Sequence, residues 1–240
     1  MLQINKNKVL GLYKLTRVMT IMEFYPFILI FGILSTRTYI NVTSVVTAVS
    51  VLLLLIASFI INDVEDSEDD AKDPKKVKRN PISAGIITKK EGYVFYFIVN
   101  LLALIPLILI NLQVFLIGLL TAIIGYIYSC KPFRLKSRPI VDVLSHGFFL
   151  AGAQVIIFGL LPQNSTDNKT LLTFFGLYLF SMGGDLYNEV RDWKVDREVG
   201  LKNTASFLGY NLARYTSYTF YCIGILLIAV ATALILFKIS

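Results

Sequence analysis

The sequence predicts an all-α, polytopic transmembrane helical bundle, and three observations carry that prediction. Hydrophobic residues fill 55% of the 240 positions, charged residues only 16%, and the mean hydropathy is +0.67. A soluble domain carries about 25% charged residues, so an ordinary soluble enzyme, a disordered chain and a collagen-like fibre are all excluded. The apolar residues gather in stretches close to the ~20 residues that a ~30 Å hydrocarbon core requires. Lys and Arg, finally, are concentrated between alternate stretches.

Seven stretches follow one another at 18–35, 42–61, 92–110, 113–129, 140–161, 170–187 and 210–237. Asn111-Leu112-Gln113 divides the third from the fourth with a short turn. Pro26 and Pro106 fall inside spans, which a bundle tolerates where neighbours satisfy the freed carbonyls. Residues 1–240 therefore read as one integral membrane domain. Cys130 and Cys222 are too few for a disulfide framework. A lone histidine, His146, excludes zinc sites built on several His ligands.

Charge sets the expected orientation. The N-terminus and the 62–91, 130–139 and 188–214 segments hold 20 of the 23 Lys and Arg; the opposite side has only Arg37, Lys169 and Lys238. The positive-inside rule then puts the N-terminus and the basic loops in the cytoplasm and the C-terminus outside, in a plasma membrane. The net charge of +7, so segregated, reads as topology and attraction to lipid headgroups in the bilayer, not as nucleic-acid binding. No cleavable leader is expected. Chemistry is expected at the cytoplasmic helix ends.

Two acidic stripes stand there. At 100° per residue, Asp63, Asp66 and Asp70 project at about 0°, −60° and −20° from the end of the second span, and Asp185, Glu189, Asp192 and Asp196 fall within about 60° of one another at the end of the sixth. Asn62-Asp63-x-x-Asp66-x-x-x-Asp70 matches Asn188-Glu189-x-x-Asp192-x-x-x-Asp196 at an offset of 126, and the 79–85 segment is echoed at 202–209. Four spans separate the copies, so 62–85 and 188–209 form a parallel internal repeat, unlike the inverted repeats of many transporters. Clustered carboxylates repel and need a cation. Oxygen-only donors suit Mg²⁺, which is held by one or two carboxylates together with substrate phosphates. The plainer reading of one stripe is a solvated acidic helix end, but two matching stripes at membrane-helix ends favour function. Arg79, Lys202 and other basic residues beside the stripes can bind phosphate oxygens, although most also serve as topology signals.

These residues resemble a known family. Asn62-Asp63-x-x-Asp66-x-x-x-Asp70 is similar to the first signature of the UbiA superfamily of intramembrane prenyltransferases, and the second stripe to its second Asp-rich motif. Tyr128-Ser129-Cys130-Lys131-Pro132-Phe133-Arg134-Leu135-Lys136 resembles a Tyr-Ser-x-x-Pro-x-Arg-Leu-Lys segment of several branches. The resemblance runs from about Leu12 to Gly209. It implies a central cavity capped by cytoplasmic Asp-rich loops, and Mg²⁺-dependent transfer of an isoprenyl group from a polyprenyl diphosphate donor, geranylgeranyl above all, to a lipophilic acceptor with release of pyrophosphate. Membrane lipid, pigment and quinone biosynthesis are the settings it suggests.

In that frame Asp63, Asp66, Asp70, Asp192 and Asp196 would ligate the metal, with Asp185 and Glu189 of the second stripe beside them. Asp66 and Asp192 would be central to catalysis, and Asn62 with Arg79 would hold the donor headgroup. The chain departs from the family in showing seven spans where nine are usual, Glu189 opposite Asp63, and Asn80 between Arg79 and Pro81.

Weaker signals remain open. Tyr128, with Tyr126 and Tyr187, can face a carbocation or belong to the interfacial aromatic belt. Asp142, Ser145 and His146 share a helical face, as a proton acceptor or as a structural cluster. Arg17 can reach a diphosphate or anchor the topology. Gly183-Gly184 suggests close helix packing. A transporter with intramembrane acids and a family relative that binds isoprenoid diphosphates without turnover are the rival readings.

Overall fold

The computed structural model describes residues 6–162, 164, 166–198 and 200–237, with the side chains of Val195 and Asp196 outside that description. Lys238 also lies outside it. All described regular structure is helical. Five helical segments are long and apolar enough to cross a membrane, and a bent pair makes a sixth.

The bent pair is the first departure from the sequence expectation. Helices α1 (Lys6–Leu15) and α2 (Val18–Met22) precede α3 (Tyr25–Ser35), and the chain bends by 56° between Met22 and Tyr25. Pro26 lies in the first turn of α3, where its missing N–H costs nothing, and so begins a helix instead of interrupting one. Arg17, between α1 and α2, is left-handed with φ 44°. A non-glycine residue pays for that backbone, and its side chain shows below what holds it there.

Helix α4 (Val42–Asp70) is opened by a capping box between Asn41 and Ser44. Its 29 residues span about 43 Å, longer than a ~30 Å hydrocarbon core, so its acidic end projects past the apolar stretch. Asp73 caps the short α5 (Pro74–Arg79). Thr88 and Glu91 box the start of α6 (Lys89–Ile110), which keeps Pro106 in its interior. Asn111 ends α6 and caps α7 (Leu112–Ser129), accepting from the Val114 N–H at 2.8 Å. The two-span hairpin expected at Asn111 is therefore present.

The next span is α8 (Val141–Gly147), a π-helical turn (Phe148–Gly152) and α9 (Ala153–Gly159). Asp167 caps α10 (Asn168–Arg191). This seventh segment has the length of a span, but its polar residues hold it below the hydropathy of a membrane-crossing helix. Helix α10 also stops at Arg191, where one continuous helix had been expected to carry the second stripe to Asp196; Asp192 follows as its C-cap and α11 (Trp193–Glu198) starts separately. Helix α12 (Thr204–Leu208) is capped by Asn203, and Gly209, at φ 82°, supplies the positive-φ turn into α13 (Tyr210–Leu236).

One core surrounds Leu54, Leu55, Ile60 and Ile61 of α4 and takes in Val99 and Ala103 of α6, Val114 of α7 and Phe158 of α9. A second joins Val143, Met182, Leu186 and Ala213 across α8, α10 and α13. The apolar windows of α6, α7 and α13 stay mostly uncovered by the described residues, with only 17% of that of α13 buried. Helices α10 and α13 touch through backbone. A Cβ on Gly224 would stand 2.8 Å from the Gly176 carbonyl oxygen and 2.9 Å from the Phe180 nitrogen. Gly224→Ala is accordingly expected to cost about 1–3 kcal/mol by overpacking, read as a lower unfolding temperature in detergent; an unchanged midpoint would disprove the close approach.

Candidate active site

The acidic end of α4 meets basic residues from three directions, and these contacts divide its carboxylates. Asp63 is fully buried and accepts from Arg17 Nε at 3.0 Å and from its Nη2, a two-toothed pair. The Arg17 guanidinium also lies 5.4 Å from the centre of the Phe59 ring. Asp66 turns the other way. Both of its oxygens lie 2.6 Å from Lys136 Nζ, and Arg134 Nη2 is 3.2 Å from one of them. Asn62 Oδ1 accepts from the same ammonium at 3.0 Å. Asp69 shares Arg134 at 3.3 Å.

Asp70, 3% exposed, accepts from Asn80 Nδ2 at 3.0 Å and Arg79 Nη2 at 3.4 Å. Asn80 is itself buried. It also donates to the Asp63 carbonyl at 2.8 Å and accepts from the Ile82 N–H at 3.0 Å. The residue inserted between Arg79 and Pro81 thus pins the 80–83 turn to α4. Ser83 Oγ adds a bond to the Ser67 carbonyl at 2.8 Å.

Arg134 and Lys136 belong to the 128–136 motif, from which the sequence alone assigns them no role. They sit on a tight 3₁₀ turn, with Arg134 left-handed at φ 39°, and they are the cations nearest Asp66. Burial pushes the Lys136 ammonium pKa down, against the pull of Asp66. Arg134 Nε and Ser137 Oγ are buried without a hydrogen-bond partner, which leaves two donors for an incoming acceptor.

These residues line an outer chamber of about 900 Å³ that includes Asn62, Asp66, Asp69, Asp70, Tyr128, Arg134, Lys136 and Lys202. Asn62 and Tyr128 also line an inner chamber of about 250 Å³, together with Arg17, Phe59, His146, Phe149, Leu150 and Asp185. Tyr128 donates to Asp185 at 3.3–3.4 Å, and its ring lies 5.1 Å from Phe149. His146 Nε2 is 3.6 Å from Asp185, and Ser181 Oγ is 3.2 Å from His146 Nδ1. Both chambers carry polar side chains; the inner one sets Arg17, Asn62, His146 and Asp185 beside Phe59, Phe149 and Leu150.

The second stripe is dispersed. Asp185 faces the inner chamber. Glu189 accepts from the Ala205 N–H at 2.8 Å and thereby caps α12. Asp192 pairs with Arg191 at 3.1 Å and faces a separate cavity beside Trp193 and Tyr210. The Asp196 side chain lies outside the described residues. Asp142, Ser145 and His146 also part company: Asp142 is fully buried and accepts from the Thr204 N–H at 2.6 Å, Ser145 Oγ bonds the Val141 carbonyl at 2.5 Å, and only His146 turns to the chamber. Gly183 packs against the α13 backbone, 3.0 Å from the Ser217 carbonyl by its Cβ direction, as the glycine pair had suggested.

Among the described residues no three His, Cys, Asp or Glu side chains converge enough to hold a metal by themselves. The oxygen donors of Asn62, Asp66, Asp69 and Asp70 nonetheless line one chamber with Arg134, Lys136 and Lys202. That set fits a hard divalent cation completed by phosphate oxygens, and it does not form a closed protein cage.

An all-helical membrane bundle with an acid-and-base chamber beside one that adds Phe59 and Phe149 defines a class of intramembrane proteins. The chain belongs to the UbiA prenyltransferase family, whose model matches residues 24–239. It is 33% identical to a lycopene elongase/hydratase of Halobacterium salinarum over 104 residues, 43% of this chain and 34% of that one. It is 22% identical to a 4-hydroxybenzoate octaprenyltransferase of Francisella tularensis subsp. novicida over 173 residues, 71% of this chain and 58% of that one. The chain spans about a third to a half of the length of the lycopene elongase/hydratases it matches.

Among solved structures, a UbiA homolog from Archaeoglobus fulgidus bound to GPP and Mg²⁺ superposes with a TM-score of 0.74 at 23% identity, over 91% of this chain and 77% of that one. A digeranylgeranylglyceryl phosphate synthase structure gives a TM-score of 0.71 at 20% identity, over 92% of this chain and 76% of that one. The fold is shared with both.

Proposed function

We propose that the protein transfers an isoprenyl group from a polyprenyl diphosphate, of geranylgeranyl class, to a lipophilic acceptor and releases pyrophosphate. The observation that carries this reading is the junction of the two chambers at Asn62 and Tyr128. It brings a strongly charged chamber beside one that adds Phe59, Phe149 and Leu150, the juxtaposition that a substrate with an anionic head and an apolar tail needs. The likeness to a lycopene elongase/hydratase and to a 4-hydroxybenzoate octaprenyltransferase supports the reaction class.

Lys136, Arg134 and Lys202 bind the diphosphate oxygens in the outer chamber, Arg134 through a guanidinium whose Nε is unpaired. Asn62, Asp66 and Asp70, with Asp69, would hold Mg²⁺, which when bound supplies positive charge against the leaving diphosphate. The C–O bond breaks and the pair of electrons leaves on the diphosphate. Tyr128 and Phe149 then present aromatic faces to the allylic cation until the acceptor adds. His146 and Asp185 stand at the same chamber as candidates to receive the acceptor's proton.

Arg17 is engaged by Asp63, so its part in headgroup binding is indirect, and Arg79 acts through Asp70. Asp63, Asp185 and Glu189 are not proposed as direct ligands; Asp192 and Asp196 stay candidates only through movement of α11 toward the outer chamber. We place the N-terminus and the outer chamber on the cytoplasmic side by the charge asymmetry, and read 62–85 and 188–209 as repeated units of one domain. The transporter reading lacks support, since the acids cluster at helix ends beside cations.

Purified protein in detergent, given geranylgeranyl diphosphate and a panel of lipid and aromatic acceptors, is expected to release pyrophosphate only with both Mg²⁺ and a matching acceptor, and to stop on adding EDTA. Donor binding without release across that panel would favour a binding-only relative. A folded sample with neither binding nor release would overturn the proposal.

A further inference from the structure

A second cavity, of about 810 Å³, opens at the same end of the bundle between the ends of α10 and α13, away from both chambers. Its walls include Trp193, Lys194, Tyr210, Arg214 and Tyr218, together with Asp192. Asp192 is already engaged by Arg191. Among the described residues neither Lys194 nor Arg214 has a carboxylate partner; Arg214 donates to Tyr218 Oη at 3.3 Å and lies 5.6 Å from the centre of its ring. Among the described residues the cavity therefore offers two cations with no carboxylate partner.

Three observations specify what they await. Trp193 and Tyr210 meet edge-on with centroids 6.1 Å apart, and with Tyr218 they give the Trp/Tyr lining characteristic of the headgroup level of a bilayer. Arg214, Tyr218 and Ile225 follow one another at i, i+4 and i+11, on one face of α13. Tyr218 is 40% and Ile225 54% exposed, and α13 is the least buried of the apolar helices. A cationic pocket at headgroup level thus continues directly into a lipid-facing apolar stripe.

We infer that this cavity is a binding site for an anionic phospholipid, with its phosphate on Arg214 and Lys194 and an acyl chain along Tyr218 and Ile225. The site lies apart from the two chambers proposed for the prenyl-transfer reaction. It has a structural consequence for it, because the segment that begins with Trp193 and Lys194 continues through Gly200 and Leu201 to Lys202 in the outer chamber. A bound lipid would brace one wall of that chamber.

The test is native mass spectrometry of the full chain in detergent, titrated with phosphatidylglycerol or with phosphatidylcholine of the same acyl chains. Phosphatidylglycerol is expected to bind several-fold more tightly and to survive activation that strips phosphatidylcholine. Arg214→Gln and Lys194→Gln should each weaken it about fivefold, as loss of one cation near an anionic headgroup implies. Both positions are exposed, so folding should survive, and an unchanged melting temperature confirms it. Lys131→Gln, which removes an equal charge from a different loop, should leave retention unaltered. Equal retention of the two lipids, indifference to Arg214→Gln, an equal loss in Lys131→Gln, or displacement by millimolar inorganic phosphate would each overturn the assignment.

Discussion

Asp66→Asn is expected to lower Mg²⁺-dependent pyrophosphate release by about 100- to 1,000-fold, the usual cost of removing one preorganised electrostatic group from a reacting centre. Asp66 is singled out among its neighbours by geometry. Asp63 is sealed against Arg17, and Asp70, tied to Asn80, is only 3% exposed, whereas Asp66 keeps 19% of its side chain exposed on the outer chamber that it shares with Asp70. Its two oxygens are both engaged by Lys136. In the proposed reaction an arriving diphosphate would draw that ammonium to its phosphate oxygens, and the carboxylate would then be free to hold Mg²⁺. The amide keeps the size and can still accept a hydrogen bond, so the fold should persist, but it loses the charge that a hard cation selects. Measured turnover equal to that of the unaltered protein, in a sample with the same unfolding temperature, would remove Asp66 from the site.

The contrast among these three aspartates shows where sequence is informative. The apolar runs and the Asn111 turn are local signals, written in hydropathy and in a side chain able to cap a helix; the structure keeps the turn and five or six of the seven runs as helices apolar enough to cross a membrane. The helical wheel also placed Asp63, Asp66 and Asp70 on one arc. An arc of about 60°, however, is wide enough for Asp63 to reach Arg17 on one side while Asp66 reaches Lys136 on the other. Those partners lie 46 and 70 residues away, beyond any local pattern.

The end of α10 illustrates the same limit. Nothing in Asn188–Asp196 contains Gly or Pro to stop a helix, yet the chain breaks at Asp192, and Trp193 packs on Tyr210 of α13. Tertiary contact overrides propensity there. Arg134 and Lys136 were present in a recognisable motif, but Lys and Arg in a loop of a membrane protein carry topology as well as chemistry, and only the fold separates the two.

The largest effect on stability is expected at Arg17 and Asp63. Asp63 is fully buried and Arg17 keeps 12% of its side chain exposed, so the pair is held with little help from water. Its desolvation has already been incurred in folding. Removing one partner leaves an uncompensated charge, which typically costs about 3–5 kcal/mol; Arg79, at 4.0 Å from Asp63, moderates the loss. Arg17→Met should therefore lower the unfolding free energy by several kcal/mol, whereas Arg17→Met combined with Asp63→Leu should recover most of it, because an apolar pair replaces the buried charges. A second comparison isolates the backbone. Arg17 adopts φ 44°, a conformation that costs a side-chain-bearing residue about 1–2 kcal/mol and glycine almost nothing. Arg17→Gly should accordingly be less damaging than Arg17→Met by about that amount. Reversible denaturation in detergent reads all three variants. If Arg17→Met stays within 1 kcal/mol of the unaltered protein, the pair is not what ties the broken first span to α4, and the left-handed turn at Arg17 loses its explanation.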